Sequence, residues 1–134
     1  MGSDKMIKYC PCGSKMRYMD CCGLYITNKK LPDTPEALMR SRYTAFAENN
    51  MDYIKKTMKP PASLRFAKRG DNKHVKWMGL DVLNAQIHPS DPAIGFVEFK
   101  AKFREKSLDG VVHENSEFHF INDRWFYVDG YTPK

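Results

Sequence analysis

The sequence predicts an α+β fold in which helices pack on one face of a curved antiparallel sheet. Apolar residues recur at helical spacing over residues 35–58, as in amphipathic helices. Over residues 97–128 they alternate with polar residues instead, which is the period of a half-buried strand. Short turn signals separate the alternating segments, so the strands are expected to follow one another as an antiparallel meander after the helices.

The chain is long enough for one domain and a small appendage. A chain of 134 residues buries roughly two-thirds of its unfolded surface on folding. Its 8 Phe, 7 Tyr and 2 Trp supply apolar area that an intrinsically disordered chain lacks. No apolar run approaches the ~20 residues of a membrane helix, and residues 1–9 lack the apolar core of a secretory signal. We therefore expect a cytosolic protein, with reduced thiols.

Two helices are predicted in the first half. Thr34 can cap the N-terminus of a helix over residues 35–48, and Pro35 suits its first position. A second, shorter helix is predicted from residue 51 to residue 58. It must end before Pro60-Pro61, because proline disfavours helical geometry at the residue before it.

Four strands are predicted in the second half. Leu108-Asp109-Gly110 and Asn122-Asp123 are typical turn sequences. Both therefore separate consecutive strands of one antiparallel sheet. The predicted strands cover residues 77–87, 97–104, 112–120 and 125–128.

All four cysteines lie within thirteen residues, in the pattern C-x-C-x8-C-C. Zinc prefers four soft ligands in a tetrahedron, and this spacing predicts that Cys10, Cys12, Cys21 and Cys22 supply them. We call residues 10–22 the knuckle. A closed site with four protein ligands has no open position for water, so the predicted Zn²⁺ is structural rather than catalytic. The segment is too short for a core of its own, and metal binding is expected to drive its folding.

Nearby cations can compensate the negative charge of four thiolates on one zinc ion. Lys8, Lys15 and Arg17 lie inside or beside the knuckle. Two other interpretations stay open but are weaker. A Cys10–Cys12 or Cys21–Cys22 disulfide would be a strained small ring, and the spacing does not match common iron–sulfur motifs.

The net charge of +6 is unevenly distributed. Residues 1–30 hold six basic and two acidic side chains, and residues 55–76 hold eight basic side chains and one acidic. The remainder of the chain is net acidic. Two basic patches favour an anionic partner such as RNA, a phosphate or an acidic protein. Alternatively, residues 55–76 are simply a solvated surface loop.

The knuckle resembles the SEC-C motif, a small zinc knuckle also found at the C-terminus of the SecA translocation ATPase. The resemblance rests on the string Cys10-Pro11-Cys12-Gly13-Ser14, followed by Tyr18 and Cys21-Cys22-Gly23. Lys15 stands where the motif usually has glycine, which affects the loop and not the ligand spacing. The resemblance implies zinc binding and contacts with protein partners.

The rest of the chain resembles the YchJ family. That family implies a nuclear transport factor 2-like domain, a cone of bent antiparallel sheet around helices, and no particular activity. We expect two units, a knuckle with its connector over residues 1–30 and the cone domain over residues 31–134. The matching strings, in the order of the family, are Pro35-Glu36-Ala37-Leu38-Met39-Arg40-Ser41-Arg42-Tyr43, Trp77-Met78-Gly79-Leu80, His113-Glu114-Asn115-Ser116-Glu117-Phe118 and Trp125-Phe126-Tyr127-Val128-Asp129-Gly130.

A cone of this kind encloses a cavity between its helices and its sheet, which is a natural ligand site. Arg42 lies beside the apolar stripe of the first helix, and Glu114 shares a strand face with apolar residues. Polar groups on apolar faces need partners, so Arg42 is expected to approach Glu114. The pair is either the floor of a ligand site or an ion pair that joins helix to sheet. The cavity candidates are Arg42, Tyr43, Trp77, Glu114, Ser116, Phe118 and Trp125.

Three hypotheses of function follow. The first is a zinc-stabilised module that binds a protein partner through the knuckle or a ligand in the cone. The second is an enzyme acting on a small molecule in the cone, for which only Glu114 or Asp81 can serve as a base. The third is an RNA binder that uses the basic patches. No nucleophile motif, phosphate loop or paired carboxylates favour catalysis, and the oligomeric state stays open.

Overall fold

A computed structural model describes residues 9–69 and 75–133, without the side chains of residues 68 and 69. The α+β fold is confirmed, because helices come first and four antiparallel strands follow. A short 3₁₀ turn, Tyr18–Asp20, precedes the first helix. The helices are α1 (Cys22–Ile26), α2 (Pro35–Ala47), α3 (Met51–Lys56) and α4 (Ala62–Arg69), and the strands are β1 (Val75–His88), β2 (Asp91–Glu105), β3 (Leu108–Ile121) and β4 (Arg124–Tyr131).

Side-chain caps set the starts of two helices. Thr34 Oγ1 accepts a hydrogen bond of 3.0 Å from the backbone N–H of Ala37, as predicted for α2. Asn50 Oδ1 accepts one of 3.1 Å from Tyr53 N–H and so begins α3. Each cap satisfies an N–H group that has no partner within its own helix.

Helix α4 lies in the basic segment that the sequence suggested as a surface loop. Its Ala62 is 3% exposed and packs with Phe66 against the helical cluster. These two apolar residues, one helical turn apart, supply the buried face. The Lys-rich segment over residues 55–67 is therefore largely helical in the described part of the chain, while His74 and the rest of residues 70–74 lie outside it.

The sheet is a meander in the order β1-β2-β3-β4, and every neighbouring pair is antiparallel. Asn122 and Asp123 form the last turn, both with positive φ. The turn predicted at residues 108–110 lies at residues 106–107 instead, since Glu105 pairs with Leu108. Gly110 belongs to β3, where a Cβ atom would collide with the Phe103 ring across the ladder. Glycine thus marks a close packing contact here rather than a turn.

The knuckle shares its hydrophobic core with the sheet and α2. Cys10, Cys12 and Cys22 belong to one buried cluster with eight further residues, among them Leu38 and Phe118. A second cluster joins α2, α3 and α4 around Tyr53 and Ile54. Given this shared core, the division into units at residues 1–30 and 31–134 stays a prediction.

In the part of the chain that the structure describes, no helix has the length and the apolar character needed to cross a membrane.

Candidate metal centre and domain cavity

The four cysteines come together as a four-thiol cluster. Their Sγ atoms all lie within 4.8 Å of one another, and three of the side chains are buried while Cys21 is half-buried. All four are free thiols, and the 3.7 Å between Cys12 Sγ and Cys21 Sγ is far longer than the ~2.05 Å of a disulfide. The arrangement can hold a metal ion.

Local backbone geometry presents these thiols. The N–H of Cys10 donates to Met16 O at 2.8 Å, and Gly13 N–H donates to Cys10 O at 3.3 Å. Gly13 has φ +83°, a left-handed conformation that glycine adopts without steric cost. The chain thereby folds back after Cys12, and the short helix α1 presents Cys22 from its first turn.

Polar groups surround the cluster. Ser14 Oγ donates to Cys21 Sγ at 3.2 Å, and Cys10 Sγ lies 3.7 Å from Thr44 Oγ1. Arg40 Nη1 donates to Cys12 O at 2.9 Å and lies 3.8 Å from Cys12 Sγ. Hydrogen bonds with Cys10 and Cys22 depress the pKa of Cys12, whereas hydrogen bonds with Cys10 and Cys12 raise the pKa of Cys22. Thiols this close cannot all ionise unless a cation joins them.

Arg40 and Thr44 are contacts that the sequence did not predict. Both lie on α2, about thirty residues after the cysteines that they touch. Lys15 and Arg17, which we expected to compensate the cluster, are exposed, and Lys8 lies outside the described residues. The Arg40 contact adds a cation from the domain to the surroundings of the cluster, while compensation by the three cations inside or beside the knuckle stays a prediction. A single amphipathic helix gives no signal of this kind, because its polar face looks the same with or without a docked knuckle.

The second feature is a cavity of about 250 Å³ between the helices and the sheet. This volume is slightly smaller than the roughly 300–1,000 Å³ typical of ligand sites. Trp125 was also predicted to line the cavity, but it does not. Its side chain is 7% exposed and its ring packs against Phe120 near the last turn. Six of the predicted residues line the cavity, namely Arg42, Tyr43, Trp77, Glu114, Ser116 and Phe118.

Arg42 and Glu114 approach each other as predicted, in that both line the cavity and the charge of Glu114 partly offsets the burial that lowers the pKa of Arg42. Among the described residues, however, the two make no hydrogen bond or ion pair. Arg42 Nη1 instead donates to Ile54 O at 2.8 Å and to Thr57 Oγ1 at 2.7 Å. Carbonyls in the last turn of a helix have no intrahelical donor and favour a cation. The guanidinium group of Arg42 therefore binds the end of α3, and not the sheet residue that we had predicted as its partner.

Glu114 has its own partners on the sheet. Its Oε2 accepts hydrogen bonds from Ser116 Oγ at 2.6 Å and from Tyr127 OH at 3.0 Å. Burial, reinforced by Glu114, raises the pKa of Tyr127 well above its ordinary value, so the phenol stays protonated and donates. Asp81, the other candidate base, is exposed on β1 and does not line the cavity.

Comparison with known proteins agrees with this architecture. Residues 34–130 match the family model described as the middle NTF2-like domain of YchJ. A SEC-C motif containing protein from Rhodopseudomonas palustris, known from a solution structure, is 34% identical, with a TM-score of 0.81 over 93% of this chain and 98% of that one.

A crystal structure of a SEC-C motif containing protein from Psychrobacter arcticus is similar as well. It is 29% identical, with a TM-score of 0.70 over 93% of this chain and 82% of that one. The chain therefore belongs to the YchJ family, with a nuclear transport factor 2-like domain at residues 34–130.

Proposed function

We propose that this protein is a zinc-stabilised protein-interaction module, in which structural zinc in the four-thiol cluster holds the knuckle in place for a partner. The observation that carries the proposal is the convergence of the four Sγ atoms within 4.8 Å. Four soft thiolate ligands favour zinc over hard cations such as Mg²⁺ or Ca²⁺. Three of the four side chains are buried, which supports a closed structural site.

Metal analysis of purified protein tests the first half of the proposal. We expect one zinc ion per chain after expression in reducing medium with zinc supplied, measured by elemental mass spectrometry. Cys21→Ser should lose the ion, because it removes one ligand at the half-buried corner of the cluster. Substitution with Co²⁺ should give the visible absorption of a tetrahedral thiolate complex.

The exposed variant Met16→Ser is the control, because it changes the knuckle without removing a ligand. It should retain full zinc content. Protein without stoichiometric zinc under these conditions, or Cys21→Ser protein with unchanged zinc, would contradict a four-cysteine site.

The outer side of the knuckle supports a role in binding a partner. Tyr9 is 61% exposed, Met16 49% and Met19 42%, although side chains of this kind are usually buried. Lys15 and Arg17, which flank Met16 in the sequence, are exposed as well. We call these five residues the knuckle surface. Its composition fits a protein segment that carries both acidic and apolar side chains.

Site-specific photocrosslinking tests the knuckle surface. A photoreactive residue at position 16 should give a discrete protein adduct in native cytosol, and Lys15→Glu with Arg17→Glu should reduce it at least tenfold through charge repulsion. A probe at Leu108, which is 75% exposed on the β2–β3 hairpin and outside the knuckle, is the control. An adduct that disappears after nuclease treatment would favour the RNA hypothesis instead, and equal adducts from both positions would reject a specific surface.

A further inference from the structure

Arg42 leaves one side of its guanidinium group free inside the domain. The residue is 6% exposed, and both hydrogen bonds that it makes come from Nη1. Among the described residues, Nε and Nη2 have no hydrogen-bond partner, and no carboxylate lies within 4.0 Å of them. Neither nitrogen is completely enclosed by protein, and Arg42 lines the cavity. The cavity is thus the open space beside this residue in which a ligand could meet these donors.

The free donors have the geometry of a carboxylate site. Nε–H and one N–H of Nη2 are parallel donors on the same edge of the planar guanidinium group, which is the edge that binds a carboxylate through two hydrogen bonds. Nη1 ties the other edge to Ile54 and Thr57 at the end of α3. The Tyr127 ring supports the plane from 4.6 Å. Arg42 is thus held in one orientation before any ligand arrives, which lowers the entropic cost of binding.

Electrostatics favours an anion at this position. Burial lowers the pKa of Arg42 to about 10, so the group is still cationic at neutral pH. Glu114, which lines the same cavity, attracts Arg42 but makes no ion pair with it among the described residues, and a buried charge without a directly bound counter-ion is unfavourable. An anion that reaches the free edge would supply that counter-ion, in a site where water weakens the attraction less than at the surface.

The walls of the cavity specify the rest of the molecule. Tyr43, Trp77, Phe99 and Phe118 surround it with aromatic side chains, and a volume of about 250 Å³ suits a compound with one ring. Glu114 stands on the sheet side of the same cavity. Its negative charge disfavours a second acid group on the ligand.

We infer that the cavity binds a small aromatic monocarboxylate, whose acid group takes the free edge of Arg42. This site is separate from the four-thiol cluster, so its test does not depend on the zinc proposal. Benzoate is the probe, benzamide is the uncharged control of nearly equal shape, and benzene-1,4-dicarboxylate tests exclusion of a second charge. Binding is followed by NMR of the full-length protein, through the arginine Nε–H signals and the backbone amides.

Benzoate is expected to shift the Arg42 Nε–H signal and the amides of residues around the cavity, with a Kd of about 1 mM or lower. Benzamide and the dicarboxylate should bind at least tenfold more weakly. Glu114→Gln should bring the dicarboxylate close to benzoate in affinity, because it removes the repulsive charge. Absence of any shift up to about 10 mM benzoate, or equal binding of benzamide, would overturn the inference.

A variant that fills the cavity locates the binding site without altering Arg42. Ala101 is 2% exposed and lines the cavity from β2, so Ala101→Leu places extra carbon atoms in that space. We expect it to remove benzoate binding while the melting temperature changes little. Arg42→Gln should remove binding as well, but it also removes the hydrogen bonds from Arg42 to the end of α3. If the Arg42→Gln protein does not fold, the result for Ala101→Leu is the one that tests the proposal. Binding that persists in folded Ala101→Leu would place the probe elsewhere and reject the proposal.

Discussion

Removal of the proposed zinc ion from the four-thiol cluster is expected to destabilise the whole chain, by more than about 4 kcal/mol in the free energy of unfolding. Cys12 and Cys22 are 0% exposed, and they share one hydrophobic cluster with Leu38 and Phe118. A knuckle that unfolds without its metal would uncover apolar surface of α2 and the sheet. The expected loss of stability therefore has two contributions, the metal–ligand bonds and the packing of the knuckle against the domain.

Tryptophan fluorescence measures this effect in the sheet, although Trp125 belongs to the same buried cluster as three of the cysteines. The chain has two tryptophans, Trp77 on β1 and Trp125 on β4, and neither belongs to the knuckle. Treatment with a chelator, or Cys22→Ser, should lower the midpoint of the fluorescence transition by well over ten degrees for a domain of this size. Met16→Ser should leave it nearly unchanged, since that side chain is 49% exposed.

The opposite outcome is equally informative. If the tryptophan transition stays in place while zinc is lost, the knuckle and the domain unfold independently. The division at residues 1–30 and 31–134 would then describe two thermodynamic units, and the shared cluster would contribute little to the stability of the sheet.

Truncation of Phe118 is the second large effect, with an expected loss of about 3–5 kcal/mol in the free energy of unfolding for Phe118→Ala. The side chain is 1% exposed and belongs to the same cluster as the cysteines. It also contacts the ring of Tyr127, with centroids 5.8 Å apart. Its removal takes away apolar contacts and enlarges a space that already borders a cavity. Urea unfolding of wild type and variant measures the difference.

Phe120→Ala is the matched control on the same strand. Phe120 has the same parity along β3 as Phe118 but is 42% exposed, because it lies near the end of the sheet against Trp125. We expect it to cost less than about 1.5 kcal/mol. Similar losses for the two variants would mean that burial in the cone is not what makes Phe118 important.

Local sequence signals predicted the elements well where one interaction decides the outcome. Thr34 caps α2 as expected, since a cap depends only on residues three positions apart. Asn122-Asp123 forms the last turn because both residues tolerate positive φ. The turn predicted at Gly110 was wrong. A glycine that leaves room for a neighbouring aromatic ring cannot be distinguished in the sequence from a glycine that makes a turn.

Long-range contacts were harder to predict. Arg42 was correctly expected in the cavity, but its partner lies at the end of α3 and not on the sheet. Trp125 was expected there too, yet the register of the last hairpin places it against Phe120. Tyr127, one of two hydrogen-bond donors to Glu114, was not singled out, because nothing in a strand pattern shows which phenol will meet a half-buried acid.

The sequence by itself determined the set of thiols, the order of helices before strands and the apolar faces of both, because ligand identity and periodicity are properties of residues close together in the chain. Only the tertiary structure decided that the knuckle enters the domain core, that Arg40 of α2 touches Cys12, and that one edge of Arg42 has no partner among the described residues. Each of these depends on segments more than ten residues apart, and their relative placement is set by the packing of the whole chain.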